Sequence, residues 1–319
     1  MQANTLSLVI ENVVNPAKSS IFAQLQAIYN DIIEMLESKD RSVIMAAISQ
    51  KGGVAKSTII YQFAVMLANL GFKVRIFDCD TQQTLQHQWK KRYEYKKQEM
   101  AFIKQAKEEL AKKVAEGKLN EYFRINSEKS IAKREERLKA ISSIDFANHN
   151  PEVDFSEVIK TSADFDVVLF DTACHLSDAQ SPLLYVCDSI VIPFNNSDDE
   201  FDTNVRVKKF IQDEKVNAAE NDEVITADIR SVIIDRPNTA KDRTEYVKNL
   251  WIDYGYQKTH GLLESRLTNR QIYRDVKNFG LGVGELEGQA GEIASLEIAT
   301  LFKELLVSSD AKQAKRVKA

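Results

Sequence analysis

Short runs of apolar residues recur along this chain, and segments with helical spacing separate them. Runs of strand length occupy residues 43–48, 73–77, 167–170, 189–193 and 231–234. Continuously apolar strands are typical of a parallel sheet that helices cover on both faces. Strand, helix and strand in succession favour right-handed βαβ units. The pattern therefore predicts an α/β fold with a doubly wound, mostly parallel sheet within residues 42–319.

The first 41 residues predict a helical arm that precedes this sheet. Asn15 followed by Pro16 is typical of a helix start, because asparagine caps the first turn and proline needs no backbone donor there. Apolar side chains then recur with helical spacing at Ile21, Leu25, Ile28, Ile32 and Met35. Such a broad stripe must pack on this chain's own core or on a second copy.

Residues 98–139 predict a helical insertion in the sheet domain, because they are charged and almost free of glycine and proline. We expect a hairpin that is broken near Gly117. Between Lys90 and Lys139 there are 16 lysines and arginines against 9 glutamates, and residues 312–318 add four basic residues, although the whole chain carries a charge of −4. Such stretches either bind an anionic partner or are solvated helix faces, and the insertion is either a partner-binding lever or decoration.

The chemistry is concentrated in a glycine-containing turn between the first strand and the helix after it. This loop consists of Lys51, Gly52, Gly53, Val54, Ala55, Lys56, Ser57 and Thr58. Its backbone N–H groups are expected to surround a phosphate at the positive end of the helix, with Lys56 on the β- and γ-phosphates. Ser57 would bind Mg²⁺ and Thr58 the α-phosphate. Ala55 replaces a glycine of the ordinary pattern, which is tolerable if its φ is negative.

The sequence KGGVAKST, with Lys51 at its start, resembles the deviant Walker A motif of the ParA/MinD ATPases. The resemblance covers about residues 42–306 without the insertion, and it implies a P-loop NTPase fold, ATP and Mg²⁺ as cofactors, and slow ATP hydrolysis that a partner stimulates. In that family the early lysine reaches the phosphates of the other subunit. The resemblance therefore implies that Lys51 acts across an ATP-dependent homodimer.

Two further segments resemble the switch regions of that family. Asp78 and Asp80 follow the second strand. The resemblance implies that Asp80 orients the attacking water, and that Asp78 contacts the direct ligands of Mg²⁺ rather than the ion itself. Thr81 and Gln83 replace the usual proline and glycine, and the alternative is an aspartate pair that caps the next helix. Asp171 ends a strand in a Walker B pattern and would hold Mg²⁺ through water.

The resemblance also suggests contacts near the C-terminal part of the chain. Asp235, Arg236 and Pro237 follow a core strand where relatives contact adenine. Relatives use basic residues in the region that follows for non-specific DNA binding. In this chain the candidates are Arg266, Arg270, Arg274 and Lys277. Their spacing allows them to form one basic face of a helix, which would either bind DNA or be solvated with salt bridges of its own.

These features predict a ParA-type ATPase that dimerises on ATP binding and binds DNA non-specifically. A centromere-binding, ParB-like adaptor would stimulate hydrolysis and drive plasmid or chromosome partition, or the positioning of other cargo. The three cysteines show no CxxC spacing and are interpreted as buried thiols in a reducing compartment. Together with the lack of a long apolar run, they predict a cytoplasmic protein that associates with the nucleoid and does not contact a membrane.

Three alternatives stay open at this stage. A MinD-like ATPase that acts at a membrane needs bulky apolar residues in a C-terminal helix, but residues 308–319 offer only Val317; a related version positions protein cargo without DNA. A nitrogenase-iron-protein-like ATPase would use Cys174, but no cysteine lies between Asp80 and Asp171 to complete a cluster. A scaffold that binds nucleotide without hydrolysis conflicts with the intact set of candidate catalytic residues.

Overall fold

Seven parallel strands form one sheet at the centre of the computed structural model, which describes residues 18–148, 160, 163–174, 180–237, 241–286 and 288–317. The strands lie in the order β3-β2-β4-β1-β5-β6-β7, and every neighbouring pair is parallel. Their bounds are β1 Val43–Ala47, β2 Val74–Asp78, β3 Asp145–Asn148, β4 Val167–Asp171, β5 Ser189–Asn195, β6 Asp228–Asp235 and β7 Gly261–Thr268. The predicted doubly wound parallel sheet is confirmed.

Helices pack on both faces of this sheet. Their bounds are α1 Lys18–Glu37, α2 Lys56–Asn69, α3 Thr84–Ala115, α4 Glu121–Ala140, α5 Ser181–Val186, α6 Asp198–Glu220, α7 Lys241–Asp253, α8 Gln271–Lys277 and α9 Gln289–Val317. None of these described helices is long and apolar enough to cross a membrane.

Alternate residues of the central strands supply two separate hydrophobic cores. In β4, Val167 and Leu169 join a core that includes α1, α2 and α9, whereas Val168 and Phe170 join a core that includes α5 and α6. All five residues of β4 are buried. A strand with a core on each face must be apolar at every position, which explains why the sequence revealed the central strands most clearly.

Both edge strands, β3 and β7, were absent from the sequence prediction. Each has a strand neighbour on one side only. In β7 only Leu263 and Leu267 are buried, and Glu264 is exposed. Edge strands therefore lack the continuous apolar runs that identified the central ones.

Helix α1 packs against the core of its own chain. Leu25, Ile32 and Leu36 are buried in the same cluster as residues of α2 and α9, and Lys303 of α9 forms an ion pair of 2.5 Å with Asp31. The apolar stripe of the N-terminal segment is therefore covered within one chain. The predicted cap at Asn15 and Pro16 lies outside the described residues.

Helices α3 and α4 form an antiparallel hairpin that turns near Gly117, where φ is +64°. The first helix begins at Thr84, well before the predicted start of the insertion at residue 98, so one continuous helix connects the second strand's loop to the hairpin. The N-terminal part of α3 is anchored to the sheet domain by two contacts. Arg92 forms a buried ion pair of 2.7 Å with Glu285, and Trp89 stacks on Phe146 of β3.

Candidate nucleotide-binding site

The loop between β1 and α2 lies at the carboxyl edge of the sheet, where parallel α/β folds place their ligands. Lys56 is the first residue of α2 and is only 6% exposed. Its Nζ donates to Ser49 Oγ over 2.9 Å, and the Ser49 hydroxyl donates to the Lys51 carbonyl over 2.8 Å. Burial lowers the pKa of Lys56, while the nearby Asp171 and Asp80 carboxylates act in the opposite direction. The geometry thus holds a desolvated cation inside a loop of backbone amides.

The backbone at Ala55 differs from the sequence-based expectation. Its φ is +72° and its ψ is 13°, so it occupies the left-handed region immediately before α2. The expectation of a negative φ was therefore wrong. Ala55 is the N-cap of α2, and the path of the chain from the loop into the helix sets its backbone conformation. The ordinary motif has glycine here because glycine adopts a positive φ without a steric cost.

Replacing Ala55 with glycine is expected to stabilise the nucleotide-free protein. A left-handed alanine costs about 1–2 kcal/mol, and the extra freedom of glycine in the unfolded chain offsets part of the relief. We expect a net gain of about 1 kcal/mol in the free energy of unfolding, measured by urea denaturation.

Gly53→Ala is the matched control for this prediction. Gly53 also has a positive φ of +77°, and an added Cβ would meet no atom within 4 Å. Its substitution should therefore destabilise the protein by about 1 kcal/mol through backbone strain alone. If Ala55→Gly and the parent chain have the same free energy of unfolding, the backbone at Ala55 is not strained.

Asp171 ends β4, and the strand register places it beside Ala47 of β1 and Asp78 of β2. Its side chain is fully buried, and by geometry neither carboxylate oxygen has a hydrogen-bond partner among the described residues. Burial raises its pKa to about 7, although the Ser57 hydroxyl is near enough to favour the charged form. A fully buried carboxylate beside a hydroxyl fits a divalent cation. The structure brings Ser57 and Asp171, the two residues that the sequence predicted to hold Mg²⁺, close together.

Ionisation of Asp171 is expected to destabilise the nucleotide-free protein as pH rises. Since its folded pKa exceeds its unfolded value, the folded state holds the extra proton between about pH 4 and pH 7, and this contribution to stability is lost through that window. Relative to Asp171→Asn, the unmodified chain should lose about 2–3 kcal/mol of unfolding free energy between pH 5 and pH 8. Urea denaturation of both proteins at the two pH values measures this difference, and parallel pH profiles would contradict it.

Asp78, the last residue of β2, and Asp80, two residues later, have different environments. Asp78 is 3% exposed, and its carboxylate accepts from the backbone N–H of Asp80 over 3.1 Å and of Gln86 over 3.2 Å. Burial raises its pKa. Asp80 is half-buried and accepts from the backbone N–H of Gln82 over 2.9 Å. Asp78 thus holds the start of α3, which is the capping role considered as an alternative for this pair, while Asp80 is the more accessible of the two.

Lys51 contacts a residue that the sequence did not single out. Its Nζ lies 2.7 Å from Oε1 of Glu200 in α6, whose side chain is 2% exposed, and the Lys51 side chain is 45% exposed. Asn195 also donates to this carboxylate over 2.9 Å. Within one chain Lys51 is therefore held by α6. Glu200 lies in a short acidic run at the start of a helix, and no spacing in that run distinguishes it from a solvated acid.

The predicted basic face is wrong in its geometry. Arg266 lies in β7, where it pairs with Asp235 at 3.3 Å, and Arg270 precedes α8 and pairs with Glu297 at 2.6 Å. Only Arg274 and Lys277 lie on α8, and both are exposed. A strand end interrupts the four-residue spacing, which sequence spacing alone could not reveal. Two of the four cations therefore serve the chain's own packing.

The segment proposed to contact adenine follows β6 at the carboxyl edge of the sheet. Asp235 is the last residue of β6 and accepts from Asn196 Nδ2 over 2.6 Å. Arg236 and Pro237 come next and are exposed. The structure thus brings this segment to the same edge as the β1–α2 loop.

The three cysteines do not share one environment. Cys187 is buried and Cys79 is half-buried, but Cys174 is exposed. The interpretation of all three as buried thiols was therefore wrong for Cys174. It follows β4, and its Sγ would be 3.9 Å from a Cβ built on Gly52, so this thiol lies beside the β1–α2 loop. Its position after the strand was predictable from the sequence, but its exposure was not.

Similar folds occur among solved structures at low sequence identity. Apo McdA from Cyanothece is 12% identical, with 85% of this chain and 99% of that chain covered and a TM-score of 0.47. A putative plasmid partition protein from Borrelia burgdorferi bound to AMPPNP is 15% identical, with 82% and 98% covered and a TM-score of 0.45. The cell division protein MinD from Aquifex aeolicus is 16% identical, with 82% and 96% covered and a TM-score of 0.46.

No curated protein matches this sequence. A family model described as an AAA domain matches residues 42–230. The match begins just before β1 and includes the β1–α2 loop, the Asp78–Asp80 segment and Asp171. Since it covers more than half of the chain, this protein belongs to the AAA domain family, and it carries the loop motif of the ParA/MinD ATPases.

Proposed function

We propose that this protein is a ParA-type ATPase that uses ATP and Mg²⁺ to switch between one copy and a homodimer. The observation that carries the proposal is that the desolvated Lys56 lies near Asp171, a fully buried carboxyl at the end of the neighbouring strand whose nearest polar group is the Ser57 hydroxyl. A cation and a carboxylate so close together provide opposite charges for a phosphate group and for its divalent metal.

Each residue of the loop has a defined task in this proposal. Lys56 binds the terminal phosphates, and Ser57 and Asp171 position Mg²⁺, which supplies positive charge to the phosphate oxygens when it is bound. Asp80 is accessible enough to orient the attacking water, because its side chain is half-buried rather than enclosed. Asp78 positions the Asp80 loop through its hydrogen bonds to the backbone of Asp80 and Gln86.

Lys51 completes the phosphate site of a second copy in this proposal. Its side chain is nearly half exposed at the rim of the loop, and its present partner is the Glu200 carboxylate. When the Lys51 side chain moves from Glu200 to a triphosphate, its ammonium group exchanges a carboxylate for a partner of higher negative charge. ATP would then bring two copies together, and hydrolysis would release them.

DNA binding and an adaptor complete the proposed cycle. The dimer would bind DNA non-specifically near the nucleoid, and a ParB-like, centromere-binding adaptor would stimulate hydrolysis. Arg274 and Lys277 support this part of the proposal, since both are exposed on α8. Arg266 and Arg270 pair with acidic residues and would shape the surface rather than contact phosphates. Plasmid or chromosome partition, or the positioning of another cargo, would follow from repeated cycles.

The test of the proposed function combines ATP turnover with DNA binding. We expect Mg²⁺-dependent ATP hydrolysis, and binding of duplex DNA that requires ATP and weakens steeply with salt because phosphate contacts release counterions. Replacing both Arg274 and Lys277 with alanine should weaken binding uniformly across sequences and reduce the salt slope by about 2. Fluorescence anisotropy with a labelled duplex at several salt concentrations measures both effects.

The matched control for DNA binding replaces Lys209 and Lys258 with alanine. Both lysines are exposed, and the variant loses the same two positive charges. This variant should retain the DNA affinity and salt slope of the parent protein. Equal losses in both variants would contradict a defined site on α8. Hydrolysis without DNA binding at low salt would instead favour an ATPase that positions protein cargo.

A further inference from the structure

The outer half of the α3/α4 hairpin leaves several large apolar side chains in solvent. Tyr122 is 71% exposed, Phe123 58% and Phe102 49%. Between the two helices lies a groove of about 420 Å³, whose apolar lining includes Phe102, Leu110, Leu119, Phe123 and Ile131. Single exposed apolar residues are ordinary, but an apolar groove surrounded by them marks a surface that binds something.

The groove is separate from the packing that holds the hairpin to the sheet domain. Helix α4 packs mainly on α3. The hairpin is anchored at its other end, where Arg92 bonds the Ser142 carbonyl and Lys96 donates to the Ile141 carbonyl over 2.9 Å. Helix α3 is 32 residues long, or about 48 Å at 1.5 Å per residue. The outer groove is therefore presented far from the nucleotide-binding loop.

The charge of the hairpin restricts what the groove can bind. Residues 90–139 carry 16 basic against 9 acidic residues in a chain whose net charge is −4. Lys113, Arg134 and Glu109 border the groove itself, and Lys112 is exposed beside it. Arg134 is paired with Glu99, so the positive charge beside the groove comes mainly from Lys112 and Lys113. A second copy of the hairpin would bring the same excess of positive charge and be repelled. An acidic partner is attracted to the same surface.

The shape of the groove distinguishes among acidic partners. A duplex nucleic acid offers phosphates but no side chain to fill an apolar groove, and a bilayer surface is flat on the scale of two helices. A helix with an apolar stripe and acidic flanks offers both features. Its apolar side chains would fill the space between Phe102 and Phe123, and its carboxylates would face the lysines of the hairpin.

We propose that the outer groove of the α3/α4 hairpin is a docking site for an acidic amphipathic helix of a partner protein. The site depends on the hairpin alone and does not rest on the proposed ATPase cycle. Its position nevertheless connects it to that cycle, because α3 begins directly after the Asp80 loop and Asp78 accepts from the backbone N–H of Gln86 within α3. A partner docked on the hairpin would be attached, through α3, to the loop that carries Asp80.

The test uses the full chain and a synthetic peptide of about 20 residues, with leucine and phenylalanine at helical spacing and glutamate elsewhere. A peptide with lysine in place of each glutamate is the charge control. Fluorescence anisotropy should show saturable, salt-sensitive binding of the glutamate peptide and at least tenfold weaker binding of the lysine peptide.

Phe123→Asp should weaken binding of the glutamate peptide at least tenfold, because it places a carboxylate in the groove. Ile252→Asp is the matched control, since Ile252 of α7 is 56% exposed and lies outside the hairpin, and it should change the affinity less than twofold. Reversing the charges at Lys112 and Lys113 to glutamate is a second variant that leaves the groove apolar. It should also weaken binding at least tenfold.

Three results would overturn the proposal. Equal affinity of the Phe123→Asp and Ile252→Asp variants for the glutamate peptide would remove the groove from the interaction. Failure of the glutamate peptide to bind, together with tenfold weaker binding of duplex DNA or anionic phospholipid vesicles by Phe123→Asp, would assign the surface to nucleic acid or membrane. Self-association that Phe123→Asp abolishes, measured by light scattering, would assign it to a second copy.

Discussion

Replacing Lys56 with alanine is expected to abolish measurable ATP binding. The Lys56 ammonium is 6% exposed and contacts Ser49 Oγ inside the loop, so its charge is poorly screened by water. Charge-assisted contacts to a phosphate are strong under these conditions, and the loss of one desolvated cation should weaken binding by about 100-fold or more. Calorimetric titration with ATP and Mg²⁺ measures the change.

Lys73→Ala is the control for this experiment. Lys73 is exposed and immediately precedes β2, at the opposite edge of the sheet from the nucleotide loop, and its substitution removes the same charge. Its ATP affinity should equal that of the parent chain. The folded state of Lys56→Ala should be at least as stable as the parent, since a buried cation is removed. ATP affinity that survives in a folded Lys56→Ala variant would place the phosphate site elsewhere.

Replacing Lys51 with alanine should leave ATP binding largely intact but remove ATP-dependent dimerisation. The separation of these two effects follows from the geometry, because Lys51 is held by Glu200 of its own chain while Lys56 points into the loop. If Lys51 serves the triphosphate of the other copy, its loss affects only the state with two copies. Sedimentation velocity with saturating ATP should show one copy for the variant and two copies for the parent.

The Glu200 contact provides a control for a merely structural effect of Lys51. Glu200 is 2% exposed, so Lys51→Ala removes the cation beside a buried carboxylate, which keeps the hydrogen bond from Asn195, and should lower the unfolding free energy. Adding Glu200→Gln to Lys51→Ala should restore stability without restoring dimerisation. Glu200→Gln alone keeps the Lys51 ammonium and should still dimerise. Recovery of dimerisation in the double variant would show that Lys51 acts only by balancing Glu200.

The central strands and the nucleotide loop were predictable because each requires an unusual local sequence. A strand buried on both faces must be continuously apolar, as in β1 and β4. A turn that surrounds a phosphate needs small residues followed by a lysine and a hydroxyl, which Lys56 and Ser57 supply. These demands fall on consecutive residues, so the sequence displays them directly.

The features that escaped prediction depend on contacts between distant segments. Strand β7 is recognisable as a strand only beside β6, and its presence separates Arg266 from the helix that carries Arg274. The contact of Lys51 with Glu200 joins the loop after β1 to helix α6, which follows β5 in the sequence. The left-handed backbone at Ala55 is set by the path from strand to helix and overrides the local preference of alanine.

The helical hairpin was predictable only in part. Its helical character and the turn near Gly117 follow from local composition. The start of α3 at Thr84 does not, because the capping contact between Asp78 and the backbone of Gln86 sets it. This capping contact also connects the hairpin to the loop that carries Asp80.

The most direct test of the proposed switch is a crystal structure of the Asp80→Ala variant with ATP and Mg²⁺, in which hydrolysis is blocked. The proposal predicts two copies face to face, with each Lys51 ammonium released from Glu200 and within hydrogen-bond distance of the triphosphate in the opposite copy. ATP bound at Lys56 while Lys51 stays on Glu200, far from any second nucleotide, would contradict it.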